Sequence, residues 1–276
     1  MGSEMCIRDS AWECDDNRHL NARFYADRFQ QASASFSARY GLSSALDAPR
    51  SLVYRFHREV RQSQILAIES VLVSSTPNGT AIGHRMIGSS DGSLFATALD
   101  DRGWRTGRQP VPVRRFVPTS DASRSPVNND QGPSSIAGAL DRGGISSGTG
   151  LIGAGDVDDR ATCLDREHVG WISDGAAIVW QAIGLGADRL RDEGWGRMVV
   201  DLSVRIVGPA TAGRVLEQAS RVAGQRSRTL IMRHDQFDAV SGQRVASAQA
   251  TGMLVCLDTR RALSFPTDVR RLLARS

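Results

Sequence analysis

The chain has 276 residues, 41% hydrophobic and 23% charged, which is the composition of a globular protein with one large domain or two ordinary ones. The net charge of +4 rests on arginine with no lysine, and the arginines are scattered rather than gathered into a basic stripe with interleaved aromatics, so a nucleic-acid partner is not expected. No apolar run approaches the roughly 20 residues of a membrane helix, so no membrane span is read, and the widely spaced Cys6, Cys14, Cys163 and Cys256 argue against a zinc ribbon or disulfide scaffold and fit a reducing, cytoplasmic compartment.

In chain order, residues 1–10 (MGSEMCIRDS) have no secretory pattern and no periodicity joining them to the next segment; they read as a leader foreign to the fold. The run AWECDDNRHLNARFY (11–25) then crowds Trp12, Glu13, Asp15, Asp16, His19 and Asn21 before a helix pattern in which Phe24, Phe29, Ala32, Phe36 and Tyr40 recur near helical spacing and Gly41 is the stop. Strand signals come next in LVYRFHREV, ILAIESVLVSS and TAIGHRMIGSSDGSLFATALDD, with a turn at Gly92. Glu59, His57, His84 and His234 fall in strand candidates and read as solvated positions. Residues 105–160 change character: rich in Pro, Gly, Ser and Asn, they read as a flexible linker with too little apolar surface to offset ordering.

After the linker the pattern returns. TCLDREHVG (162–170) set on ECDDNRHLN (13–21) aligns Cys163 with Cys14, Asp165 with Asp16 and His168 with His19. A helix candidate then starts near Ser173 or Asp174, followed by the strand series MVVDLSVRIVG, RVLEQASRVAG and RTLIMRHDQFDAVSGQRVASAQATGMLVCLD, with a matching turn at Gly242. FPTDVRRLLARS closes the chain as a short helix. One helix followed by antiparallel strands, twice over, predicts an α+β architecture of two tandem units, 11–104 and 161–276, each an antiparallel sheet wrapped around a long helix.

The residues Trp12, Glu13, Asp15, His19, Leu20, Asn21 and Tyr25 resemble the signature of the hotdog-fold acyl-CoA thioesterases of the 4-hydroxybenzoyl-CoA thioesterase-like kind, with Arg18 in place of the usual Gly. The strand series of the second half resembles the body of that family, and together the likeness covers roughly residues 11–103 and 160–274. It implies a double hotdog that hydrolyses acyl-CoA or acyl-carrier-protein thioesters without metal or cofactor. It further implies Asp15 as general base or nucleophile, His19 as the group that orients or shares its proton, and Asn21 as the group that positions water or the carbonyl. The positive end of the helix dipole would polarise the carbonyl.

Tyr25 and, from the facing helix of a paired hotdog, Asp174 are candidates for substrate binding. Asp174 is equally a candidate helix cap, and His19 equally a packed, hydrogen-bonded residue. In the alignment of the two copies Asp16 has a counterpart in Asp165, whereas Asp15 faces Leu164 and Asn21 faces Gly170, so Asp16 is assigned to structure and the unduplicated pair to chemistry. Cys14 and Cys163 are expected as small buried residues. Two further readings stay open: a hotdog enoyl-CoA hydratase, whose acid and imidazole would be spaced five apart rather than four, and a non-catalytic acyl-thioester binding protein. Pairing of two chains as a homodimer is also left open.

Overall fold

The computed structural model describes residues 3–8, 11–14, 19–44, 49–76, 79–106, 132–208 and 210–274. The chain divides into two compact units, one of residues 1–124 with 164–169 and one of residues 125–163 with 170–276.

In the first unit, strand β1 (Ser3–Arg8) precedes helix α1 (Ala22–Tyr40) and strands β2 (Arg50–Phe56), β3 (Ile65–Thr76), β4 (Gly79–Gly88) and β5 (Leu94–Asp101). Within this unit the strands lie in the order β1-β3-β4-β5-β2, every neighbour antiparallel. Helix α1 begins where Asn21 caps it and ends where Gly41 takes the left-handed conformation (φ 62°), its N–H returning to the Ser37 carbonyl. Between those stops Phe29, Ala32, Ser33 and Phe36 recur at three- and four-residue spacing, which puts them on one buried face. Phe36 is fully buried with Leu72, Ile82 and Trp104, and truncating it to Ala would cost about 3–5 kcal/mol.

The second unit repeats the plan. It holds α2 (Ile136–Asp141), β6 (Ile145–Leu151), α3 (Asp165–Ala182) apart from its residues 165–169, which count with the first unit, α4 (Ala187–Asp192), β7 (Trp195–Ile206), β8 (Val215–Gln225), β9 (Thr229–Asp238), β10 (Arg244–Cys256) and α5 (Thr267–Leu273). Its strand order is β6-β8-β9-β10-β7, again antiparallel throughout, so each strand has a counterpart in the first unit. The hairpin turns at Gly92 and Gly242 are as expected, both in the left-handed region (φ 65° and 68°) that favours glycine there.

Three expectations change. Residues 3–8, read as outside the fold, form β1 and pair in register with β3, Ser3 opposite Ser70 through Arg8 opposite Ile65. The expected linker 105–160 is built structure over residues 132–160, carrying α2, β6 and a short 3-10 turn at Ala154–Asp156. Strand β6 pairs with β8, and α2 adds Ala139 and Ile136 to a cluster with Ala219 and Phe237. Small residues mislead here because a hydrogen-bonded edge strand needs little side-chain bulk; residues 107–131 lie outside the described residues. Finally, α3 starts at Asp165, not at Ser173 or Asp174, because its buried series Val169, Ile172, Gly175, Val179 begins upstream.

The earlier helix start also resets the repeat. In the first unit Cys14 forms a β-bridge with Leu20, and the Leu20 N–H reaches the Val60 carbonyl (2.9 Å). In the second unit Val157 bridges Cys163, and the Cys163 N–H reaches the Ala210 carbonyl (2.7 Å). The loop and helix therefore correspond as 14 to 157 and 20 to 163, six residues away from the alignment of Cys14 with Cys163. The sheets correspond as 84 to 234, since His84 pairs with Ser70 and His234 with Ser220. On this register Asp15 meets Asp158, Asp16 meets Asp159 and Asn21 meets Leu164. The contrast between a duplicated Asp16 and a single Asp15 is withdrawn, because both carboxylates recur.

Candidate active site

The segment bearing the sequence motif is held against the amino end of α1 in the first unit. Glu13 is buried, and its carboxylate accepts from Arg28 Nη2 at 2.5 Å, while its carbonyl accepts the Asn21 N–H at 3.0 Å. Asn21 Oδ1 in turn accepts the Arg23 N–H at 3.1 Å, and the Asn21 carbonyl accepts the Phe24 N–H at 2.9 Å. These bonds satisfy two of the orphan donors of the first turn.

His19 is buried, with Nδ1 3.4 Å from Glu59 Oε1 and its backbone bridged to Arg61. Glu59 and His57 lie after the end of β2 rather than in a strand, which brings the Glu59 carboxylate to the imidazole. Tyr25 is a core residue: its hydroxyl accepts the Val60 N–H at 3.0 Å and its ring packs edge-on to Phe56 at 5.1 Å. That geometry ties Tyr25 to the loop after β2. Asp174 sits in the middle of α3, exposed, where it caps nothing. Asp15, Asp16 and Arg18 lie outside the described residues. The structure thus places His19, Asn21 and Tyr25 around one loop and helix start, with Glu13, Arg28 and Glu59 as neighbours.

The first unit also holds a buried polar network. Asp165 pairs with Arg50 (3.0 Å) and with Arg102 (2.9 Å), and its N–H reaches Gln30 Oε1 (3.0 Å). Burial alone would raise the Asp165 carboxyl, but Arg50 and Arg102 outweigh it and hold the group below the ordinary carboxylate value. Arg102 also binds Asp100 (2.6 Å), and Asp100 accepts from Ser33 Oγ (2.7 Å). Because Ser33 gives its only proton to Asp100, it accepts from His84 Nε2 (2.9 Å), and Ser70 then donates to His84 Nδ1 (2.9 Å). His84 is accordingly neutral. Burial first, and then Arg102, lower its pKa from 6.5 to about 3.

His234 keeps the serine on Nδ1 (Ser220, 2.7 Å), and burial takes its pKa to about 3. Its Nε2 has no partner among the described residues, because Ala176 and Ala250 stand where the first unit has Ser33 and Asp100. Both imidazoles, read from the sequence as solvated, are fully buried. Among the described residues no group of three or more His, Cys, Asp or Glu could hold a metal ion, and no helix is long and apolar enough to cross a membrane. Cys163 is buried as expected, whereas Cys14 is half-buried.

Residues 152–273 match the family model of the thioesterase-like superfamily. Solved structures extend the likeness over both units. A putative oleoyl thioesterase from Lactobacillus plantarum is 12% identical with a TM-score of 0.62, over 91% of this chain and 96% of that one. An acyl-ACP thioesterase from Bacteroides thetaiotaomicron is 9% identical at 0.62, over 91% and 97%. The 12:0-ACP thioesterase from Umbellularia californica is 13% identical at 0.58, over 91% and 94%. No curated protein sequence matches the chain. At these identities the likeness is one of fold, and that fold is the double hotdog expected from the sequence.

The pairing of Glu13 with Arg28 and that of Asp165 with Arg50 and Arg102 are supporting contacts that sequence reasoning missed. The pairing of Glu13 with Arg28 spans 15 residues and has no local signature. The repeated Asp-Asp dipeptides at Asp15-Asp16 and Asp158-Asp159 were a legible signal of the true register.

Proposed function

We propose that the chain is a thioester hydrolase that converts an acyl-CoA or acyl-carrier-protein thioester to free acid and thiol. Asp15 acts as general base or as nucleophile beside the amino end of α1. As general base its carboxylate takes a proton from water, hydroxide attacks the carbonyl carbon, the C–S bond breaks and the departing thiolate takes up the proton. As nucleophile its oxygen attacks the carbonyl carbon, the C–S bond breaks and the thiolate leaves to take up a proton from solvent, and water then cleaves the mixed anhydride to the free acid and the regenerated carboxylate.

The observation that carries this reading is the clamped motif segment. Glu13 and Asn21 hold its two ends against the start of a 19-residue helix, in a chain whose fold is that of named thioesterases. His19, held near Glu59, is the neighbouring proton-sharing group. The role proposed for Asn21 is reduced to its amide nitrogen, since its carbonyl oxygen caps the helix. That commitment is the observation favouring the second reading, a non-catalytic acyl-thioester binding protein. A cytoplasmic place in lipid metabolism, and pairing as a homodimer, belong to the same proposal.

The test is thiol release from short, long and aromatic acyl-CoAs by the intact protein, Asp15→Asn and Asp16→Asn. Turnover lost in Asp15→Asn and kept in Asp16→Asn supports the assignment. Binding of acyl-CoA without thiol release from any substrate selects the binding-protein reading.

A further inference from the structure

One aromatic side chain lies outside the packed interior. Trp12, in the 3-10 turn Ala11–Glu13, is 73% exposed, whereas every other aromatic of the described residues is buried or half-buried. An indole left in water forfeits most of the free energy that its burial would release, so packing does not account for it. Nor does the turn itself. On the register of 14 to 157 the same 3-10 turn recurs at Ala154–Asp156, with Gly155 in the place of Trp12. A Cβ added at Gly155 would meet nothing within 4 Å, so that position faces open space in the second copy as well.

Trp12 is held by one aromatic neighbour and lies beside a cation. Its ring meets Phe24, from the first turn of α1, edge to face, with centroids 5.1 Å apart and planes at 89°. The Arg23 guanidinium lies over the same Phe24 ring, 5.8 Å from its centroid. Arg23 engages Glu167 through Nη2 (2.7 Å), and its side chain is 37% exposed. The counterpart of Phe24 is Glu167, so the second copy has neither ring. An acyl chain gains by leaving water, which an exposed ring does not offer it. A nucleobase instead keeps its polar edge hydrated while its π-face stacks on the indole, and its phosphates find the cation.

We propose that Trp12 is a stacking platform for the adenine of coenzyme A, with the nucleotide phosphates lying toward Arg23. This rests on the thioesterase reading of the chain and deepens it, because a carrier-protein thioester presents a pantetheine arm without adenine. Acyl-CoA is then the substrate. Since Phe24 belongs to the first turn of α1, the nucleotide lies close to the helix end proposed for the thioester, and coenzyme A binds bent.

The experiment is calorimetric titration of coenzyme A, pantetheine and ADP into wild type, Trp12→Ala and Trp12→Phe, with circular dichroism to check folding. Thiol release from an acyl-CoA and the matching acyl-pantetheine, and sedimentation velocity, run beside it. Trp12→Ala is expected to weaken coenzyme A binding roughly 5- to 100-fold and pantetheine binding less than about twofold. Trp12→Phe, which keeps a ring, is expected to recover a large part of the loss. Quenching of wild-type tryptophan fluorescence by coenzyme A and not by pantetheine is a second readout that needs no variant to fold. Equal affinity of wild type and Trp12→Ala for coenzyme A, equal affinity of wild type for coenzyme A and pantetheine, or ADP binding as tight as that of coenzyme A would overturn the proposal. So would a wild-type dimer that Trp12→Ala converts to monomer, since the indole would then face a second copy of the chain. Binding of coenzyme A that depends on Trp12, without thiol release from any substrate, keeps the platform and removes the thioesterase reading. Thiol release whose KM for acyl-CoA is indifferent to Trp12→Ala does the reverse.

Discussion

Acid should unfold this protein through His84 and His234 before its carboxylates titrate. Each imidazole has a pKa of about 3 when folded, against 6.5 in the unfolded chain. A depressed folded value means the stabilising difference is fully present above 6.5 and is lost as pH falls from 6.5 toward 3, because only the unfolded chain takes up the proton. At pH 5.5 each unfolded imidazole is about nine-tenths protonated, so two of them give a slope of roughly 2.5 kcal/mol per pH unit. Between pH 6.5 and 5 the integrated loss is about 3 kcal/mol, a large part of a typical 5–15 kcal/mol.

The assay is urea unfolding monitored by circular dichroism at half-unit steps from pH 5 to 7.5, on wild type, His84→Gln and His234→Gln. Each variant is less stable at pH 7, but its slope is the readout, and each substitution should remove about half of it. Where the two units unfold in separate transitions, His84→Gln flattens only that of the first and His234→Gln only that of the second. A wild-type stability that is flat between pH 6.5 and 5, or variant slopes equal to wild type, refutes the assignment of two neutral buried imidazoles.

The same geometry sets two other outcomes. Asp165→Asn leaves Arg50 and Arg102 facing a neutral group in a buried site and should cost the first unit about 3–5 kcal/mol, measured as a drop in its unfolding midpoint. Tyr25→Phe leaves the buried Val60 N–H without its acceptor and should cost about 1–3 kcal/mol with KM unchanged; a raised KM at unchanged Tm would support the substrate-binding role expected from the sequence.

What was legible in the sequence was local. Asn21 and Gly41 bound α1 because capping and left-handed chemistry act within a few residues, and the turns at Gly92 and Gly242 are set the same way. The strand series and the repeated helix-and-sheet plan were legible because alternation and order survive duplication, and the double hotdog was implied by the family resemblance. The register of the duplication was not. A shared Cys-x-Asp-x-x-His pattern outweighed the true correspondence, which shifts by seven residues between helix and sheet, from 20 and 163 to 84 and 234. A change of connection length between elements is invisible to an ungapped alignment.

Only the tertiary structure could decide which polar groups are inside. His84 and His234 look like any strand histidine until Ser70, Ser220 and, in one copy alone, Ser33 are brought to them from other elements. Glu13 and Arg28 become a pair only when the loop folds back on α1. The sequence by itself determined the caps of α1, the turns at Gly92 and Gly242 and the repetition of the plan, since those depend on neighbours along the chain. The clamp, the buried network and the register depend on neighbours in space, and the free energy that selects them comes from desolvating charges together rather than one at a time.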